Sequence, residues 1–146
     1  MAQSVSTIGY GGTLEFSTDD GSTFTAVAEF KSGGLPSNSL EKVDRTHMQS
    51  PNRTREYTPG LGDPQDVEFV FNFNSADYQA LYTIAAAGTT AQWKHTLATE
   101  DNTTTGAIYE YDGFLTVGAA ETTVEGITEV TCTIHRTGSY TFTAAA

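Results

Sequence analysis

Leu40-Glu41-Lys42-Val43-Asp44-Arg45-Thr46-His47-Met48-Gln49-Ser50-Pro51-Asn52-Arg53-Thr54-Arg55-Glu56-Tyr57-Thr58-Pro59-Gly60-Leu61-Gly62-Asp63 is charged and irregular, and it runs through Pro64-Gln65-Asp66 into Val67-Glu68-Phe69-Val70-Phe71-Asn72-Phe73-Asn74. The last eight residues alternate. Successive side chains of a strand point to opposite faces. A strand over 65–74 therefore sends Val67, Phe69, Phe71 and Phe73 one way, and Asp66, Glu68, Val70, Asn72 and Asn74 the other. A polar excursion as long as the one before it is costly in a small domain unless something binds it. The two halves together predict an arm that reaches a neighbour, then a strand that lines a wet surface.

The bulk of the chain narrows the class. Its 146 residues fit one domain, 1–146, with room for a real core. Within it we expect a flexible N-terminal arm over 1–12 and an extended arm over 35–62. Seven Lys and Arg stand against 18 Asp and Glu, a net charge of −11. That balance argues against an ordinary nucleic-acid-binding surface, which needs clustered cations. Thr, Ser and Gly abound, and β-branched and aromatic residues recur in short runs, so the expected class is all-β. The lone Cys132 excludes an intramolecular disulfide and reads as a small hydrophobe on a strand. No stretch approaches the ~20 apolar residues of a membrane span. Met1 to Ser6 lacks the basic start and apolar run of a signal peptide.

Along the chain, strands are expected at 13–18 and 24–31, joined by the Asp20-Gly21 turn. In the second, Phe24, Ala26, Ala28 and Phe30 share one face. One helix is expected at 76–87, capped by Ser75 or Asn74, begun with Asp77 and stopped by Gly88. Tyr78, Leu81, Tyr82 and Ala85 form its packing face. Strands follow at 91–97 and at 107–117, the latter bent at Asp112-Gly113. A polar turn is expected at Glu100-Asp101-Asn102 and a loop at 118–121. The strand at 126–138 places Val130, Cys132 and Ile134 inward, opposite Glu129, Thr131, Thr133 and His135. The tail around Tyr140-Thr141-Phe142 docks as a short strand or hangs free. This amounts to about eight strands and one helix.

Nothing here spells catalysis. His47, His95 and His135 fall on different elements with no partner at metal-ligand spacing. No nucleophile elbow, P-loop or dinucleotide fingerprint is present. We expect no catalytic, cofactor or metal residues. The cations say more: of Lys31, Lys42, Arg45, Arg53, Arg55, Lys94 and Arg136, four lie between Leu40 and Pro59. One reading is a solvated loop balanced by Glu41, Asp44 and Glu56. The other is a basic arm that docks on an acidic body, and the abundant acidic body is another copy of this chain. The wet strand faces carry Asp66, Glu68, Asn72, Glu129, Thr131 and Thr133. They suit an ordinary solvent face, or a channel whose acidic lining repels phosphate and lets DNA slide.

The segment quoted first also resembles the tail tube proteins of long, non-contractile-tailed bacteriophages. The likeness rests on Asp44 with Thr46, then Ser50-Pro51, Arg55-Glu56-Tyr57 and Gly60-Leu61-Gly62-Asp63, followed by an alternating strand. Thr23 to Glu29, Asn72 to Asp77, Tyr111 to Leu115 and Ile134 to Gly138 also resemble that family, although Ser75 replaces its frequent proline. The resemblance implies a β-sandwich or barrel with one flanking helix outside the barrel. It implies a homo-hexameric ring, stacked into a tube around a tape measure protein, with tail terminator and distal tail or baseplate proteins as partners. DNA would be passing cargo, and no membrane would be involved. Such a subunit belongs to the virion tail, assembled in the bacterial cytoplasm. Lys42, Arg45, Arg53, Arg55, Glu56 and Tyr57 become inter-ring contacts, helped by 1–12, and the wet-face residues become lumen lining. A secreted tube subunit of a contractile injection system and a monomeric β-sandwich binding module are the competing readings.

Overall fold

The structure is a computed structural model that describes residues 10–98 and 106–144. Residues 1–9 of the expected N-terminal arm and the expected turn at 100–102 lie outside the described residues. The elements are β1 (Thr13–Ser17), β2 (Thr25–Ala26), β3 (Phe30–Gly33), β4 (Asn38–Asp44), β5 (Tyr57–Pro64), β6 (Val67–Asn72), α1 (Ser75–Ala87), β7 (Ala91–Thr96), β8 (Ile108–Glu121) and β9 (Glu129–Thr143). Seven strands form one antiparallel sheet in the order β2-β1-β7-β8-β9-β6-β3, while β4 and β5 pair only with each other. The described residues are thus mostly β with one α-helix, the class the composition predicts, and a short 3-10 turn at Pro51–Arg53.

The sheet curls into a half-barrel. β6 and β7 are three places apart, so a flat sheet would hold them about 14 Å apart. Instead Phe69 and Trp93 meet with ring centroids 5.9 Å apart. Phe30 on the β3 edge likewise meets His95 on β7 at 5.4 Å, edge to face. The inward face carries Leu14, Phe16, Trp93, Tyr111, Leu115, Val130, Cys132, Ile134, Val67, Phe69 and Phe71, all buried. Leu81 and Ile84 of α1 enter the same core, so the helix covers the inward side and leaves the opposite sheet face bare.

α1 forms for reasons visible locally. The Asn74 side chain accepts a hydrogen bond from Ala76 N at 3.0 Å, closing the first turn. Gly88 ends it at φ 67°, a left-handed conformation that glycine enters without a Cβ penalty. The packing face differs from expectation: Leu81 and Ile84 are buried, whereas Tyr82 is 56% exposed. Tyr82 lies about 100° around the helix from Leu81 and stacks on Tyr78 at 6.2 Å. Phe73, expected inward, falls past the end of β6 and leans on Tyr78 at 5.2 Å.

The expected strand over 24–31 is broken, and its middle is inverted, with Val27 rather than Ala26 and Ala28 turned inward. β2 pairs with β1 at one edge of the sheet, and β3 pairs with β6 at the other. Residues 27–29 therefore cross the open side of the half-barrel. Val27 is buried there while Ala26 and Ala28 are exposed. Val27 N donates to Leu14 O at 2.9 Å, and Ala28 N donates to Asp77 Oδ2 at 2.9 Å. Satisfying both edges and the helix overrides the period-2 pattern.

The expected loop at 118–121 stays within β8, with a register shift between Val117 and Ala120. Gly118 permits it: a Cβ there would sit 2.2 Å from Thr131 O. The bend near Asp112 is a second shift, between Glu110 and Asp112. The tail is strand, since β9 continues to Thr143 along β8.

Cys132 is fully buried, and that burial pushes its thiol up to about 11. The thiolate is the reactive form. Iodoacetamide at pH 8 should therefore leave native protein unlabelled and modify it only after denaturation; rapid native labelling would show that this core opens.

Candidate assembly surfaces

Two surfaces stand apart from the core. The first is the bare face of the sheet. Strand register sets Glu68 opposite Thr133, Val70 opposite Thr131, and Asn72 opposite Glu129. Asp66 precedes β6 on the same side, and its Oδ2 lies 3.1 Å from His135 Nδ1. The structure thus brings Asp66, Glu68, Asn72, Glu129, Thr131 and Thr133 onto one face of two adjacent strands. The face is less nakedly acidic than the sequence implies. Lys31 pairs with Glu129, and His135 bridges Asp66 to Thr116 Oγ1, the latter at 2.9 Å. Phe114 stacks on His135 at 5.0 Å. Glu68 is exposed and makes no ion pair among the described residues.

The second surface is the β4–β5 hairpin. The sequence predicts an irregular arm here. The structure corrects this to a paired hairpin, with Lys42 opposite Pro59, Val43 opposite Thr58 and Asp44 opposite Tyr57. The ladder hides from periodicity because β4 is exposed along its whole length. With neither face buried, no alternation is imposed. Gly60 lets the strands close, since a Cβ there would lie 3.1 Å from Val43 Cγ2. Pro59 and Pro64 are tolerated because β5 has a partner on one side only.

The tip beyond Asp44 is organised by its own polar groups. Arg45 N donates to Glu56 O at 2.9 Å, and Glu56 N donates to Thr46 Oγ1 at 2.8 Å. Ser50 Oγ donates to Glu56 Oε2 at 2.7 Å, with His47 Nε2 3.4 Å from the same oxygen. Hydrogen bonds from Thr46, and then the nearby Arg55 and Lys42 charges, hold the Asp44 carboxyl below the usual range. Glu56 is therefore an organiser of the tip rather than a free charge. Lys42 Nζ sits 3.7 Å over the Tyr57 ring. Arg45, Arg53 and Arg55 are exposed and make no ion pair among the described residues. Of the six expected arm residues, these three are the cations that no ion pair among the described residues occupies.

One residue that the reading of the arm overlooks holds the hairpin in place. Arg136 on β9 is 6% exposed. Its Nη1 donates to Ser37 O at 2.5 Å and reaches Gln65 O at 3.5 Å. Those carbonyls immediately flank β4 and β5, and Gln65 N also donates to Ser37 O at 3.0 Å. The guanidinium lies 5.0 Å from the Tyr140 ring and 5.8 Å from the Tyr111 ring. Burial lowers its pKa. The signal was parity, because Arg136 continues the inward series Val130, Cys132, Ile134.

Among the described residues, no group of three or more His, Cys, Asp and Glu is placed to hold a metal ion. No helix there is long and apolar enough to cross a membrane.

A curled antiparallel sheet, a single helix on its inward side and an outlying hairpin define the tail-tube fold. Solved structures of that kind match this chain over most of its length. The tail of an empty gene transfer agent particle, refined with C6 symmetry, is 18% identical and covers 95% of this chain and 100% of its own, with a TM-score of 0.72. The SPP1 tail tube is 14% identical, covering 91% and 76%, at 0.66. The sheath/tube terminator of an extracellular contractile injection system is 10% identical, covering 98% and 100%, at 0.76. No protein-family model and no curated protein matches the sequence. At these identities the likeness speaks for the fold.

Proposed function

We propose that this chain is a structural subunit of a tail tube in a bacteriophage-like particle. Copies form hexameric rings, rings stack into a hollow tube, and the tube surrounds a tape measure protein before DNA passes. A terminator caps the tube, and distal tail or baseplate proteins start it. The observation that carries this reading is the exposed hairpin whose three arginines form no ion pair among the described residues, on an acidic chain with the tail-tube fold. A long hairpin held to its own body only at its neck, by Arg136, is a stable addition when a neighbour covers the rest.

The contractile-system reading is favoured by the likeness to two components of such a system, its terminator at a TM-score of 0.76 and its sheath-tube complex at 0.67. The arm sequence, Ser50-Pro51 through Asp63, favours the non-contractile tail. Electron microscopy of the purified chain at high concentration tests the common core of both readings. Hollow tubes or stacked rings are the expected result; a uniform monomer at every concentration speaks for the binding-module reading instead.

The polar face of β6 and β9 lines the conduit in this proposal. Glu68→Lys should then leave tubes intact but slow DNA release from assembled particles. Each added lysine recruits phosphate through counterion release, and the change repeats in every subunit. Ejection at the parental rate would remove Glu68 from the lumen.

A further inference from the structure

We propose that the end of the body formed by Phe73, Tyr78, Tyr82, Val124 and Ile127 receives the β4–β5 hairpin of a second copy of this chain. This rests on the docking role given to the hairpin above, and it adds the surface on which the hairpin lands.

The fold brings Phe73, Tyr78 and Tyr82 together and sets the segment that carries Val124 and Ile127 beside the end of β6. Phe73 N donates to Thr128 O at 2.8 Å, which brings the end of β6 beside the β8–β9 turn. Phe73, Tyr78 and Tyr82 form a continuous ladder of rings, at 5.2 and 6.2 Å. Val124 and Ile127 on the turn are fully and 72% exposed. Scattered exposed apolar residues need no explanation, but contiguous ones mark contact surfaces.

The occupant follows from position and charge. The hairpin leaves the body beside Asp66, at the start of β6, while the aromatic surface lies past Asn72, at its end. Six strand residues separate the two, about 20 Å. A contact between opposite ends of identical molecules is heterologous and propagates into a stack. Glu29, Asp77, Glu121 and Glu125 lie on the segments that meet at the receiving end, Asp77 already accepting from Ala28 N. Asn72 N donates to Glu29 O, Asp77 lies in the first turn of α1, and Glu121 stands opposite Glu129. Lys31 is the neighbouring cation, and Glu129 already holds it. The hairpin brings the complement: exposed Arg45, Arg53 and Arg55, which form no ion pair among the described residues, with Leu40, Met48 and Leu61 exposed beside them. Apolar contact supplies affinity, and the charges set register.

Two variants of the full chain test this by sedimentation and electron microscopy. Tyr82→Glu with Ile127→Glu should raise the concentration needed for tube growth at least tenfold, with an unchanged thermal melt, since both side chains are exposed. A second variant combines Arg45→Glu, Arg53→Glu and Arg55→Glu with Glu29→Lys, Glu121→Lys and Glu125→Lys. It should grow tubes where the arginine reversals alone do not. If the first variant grows tubes like the parent while arginine reversal blocks growth, the hairpin docks elsewhere and this proposal falls alone. If swapped charges fail to restore growth in a folded chain, the assigned acids are wrong. A parent chain that stays monomeric overturns this proposal together with the reading beneath it.

Discussion

Reversing three hairpin charges, Arg45→Glu, Arg53→Glu and Arg55→Glu, is expected to stop tube growth and leave a folded subunit. The three side chains are exposed and form no ion pair among the described residues, so little in the subunit depends on them. Surface changes of this kind shift stability by roughly 0.5 kcal/mol or less each. The assembled state responds differently. An exposed pair contributes about 0.2–1 kcal/mol, and reversal replaces attraction with repulsion of similar size. Three reversals then remove about 3 kcal/mol per contact, roughly a hundredfold in association. Every subunit in a stack repeats the loss. Light scattering against concentration reads the threshold, and circular dichroism with a thermal melt confirms the fold. Tubes forming at the parental threshold would mean the arginines face solvent in the assembly. The effect should also shrink at high salt in the parent, because exposed charges are screened beyond about 8–10 Å at moderate ionic strength.

The parts of the fold legible in the sequence are those where one face meets the core. β6 and β9 alternate because Val67, Phe69, Phe71 and Val130, Cys132, Ile134 must all enter it. α1 carried its cap and its stop as local chemistry in Asn74 and Gly88. The grouping of Asp66, Glu68, Asn72, Glu129, Thr131 and Thr133 followed from parity, once β6 and β9 proved to be neighbours. What was illegible depended on long-range geometry. Residues 24–31 read as one strand because nothing local announces that β2 and β3 serve opposite edges of a curled sheet. The β4–β5 pairing left no periodic trace, since both of its faces meet solvent. Gly118 reads as a loop residue, although its use is to let Thr131 O approach. Lys31 neutralises Glu129 from a strand 98 residues away in sequence, so the charge of the polar face could not be summed from β6 and β9 alone.

Arg136 joins the core to the hairpin, and replacing it separates the two contributions. Arg136→Met keeps an unbranched apolar stem beside Tyr111 and Tyr140, two heavy atoms shorter, and removes the charge and every side-chain donor. The Nη1 bonds to Ser37 O and Gln65 O are charge-assisted, worth about 1.5–3 kcal/mol. Against them stands the burial of a cation whose Nε and Nη2 have no hydrogen-bond partner among the described residues. Desolvation of a buried ion costs several kcal/mol, so the two terms nearly cancel for the body. Its melting temperature should therefore stay level or rise. Arg136→Ala leaves a cavity as well and should cost the body about 2–5 kcal/mol, the range for truncating large buried side chains. In the Met variant the hairpin neck keeps the Gln65 N to Ser37 O bond and the Gln65 Nε2 to Ser39 Oγ bond but loses its tie to β9 through Arg136. Amides of β4 and β5 should then exchange with deuterium faster, while those of β6 and β9 do not. Loosening also taxes assembly, because a hairpin that samples many directions must be ordered on docking, and tube growth should slow in proportion. A Met variant that melts well below the parent yet assembles at the parental rate would make Arg136 a core residue with no part in aiming the hairpin.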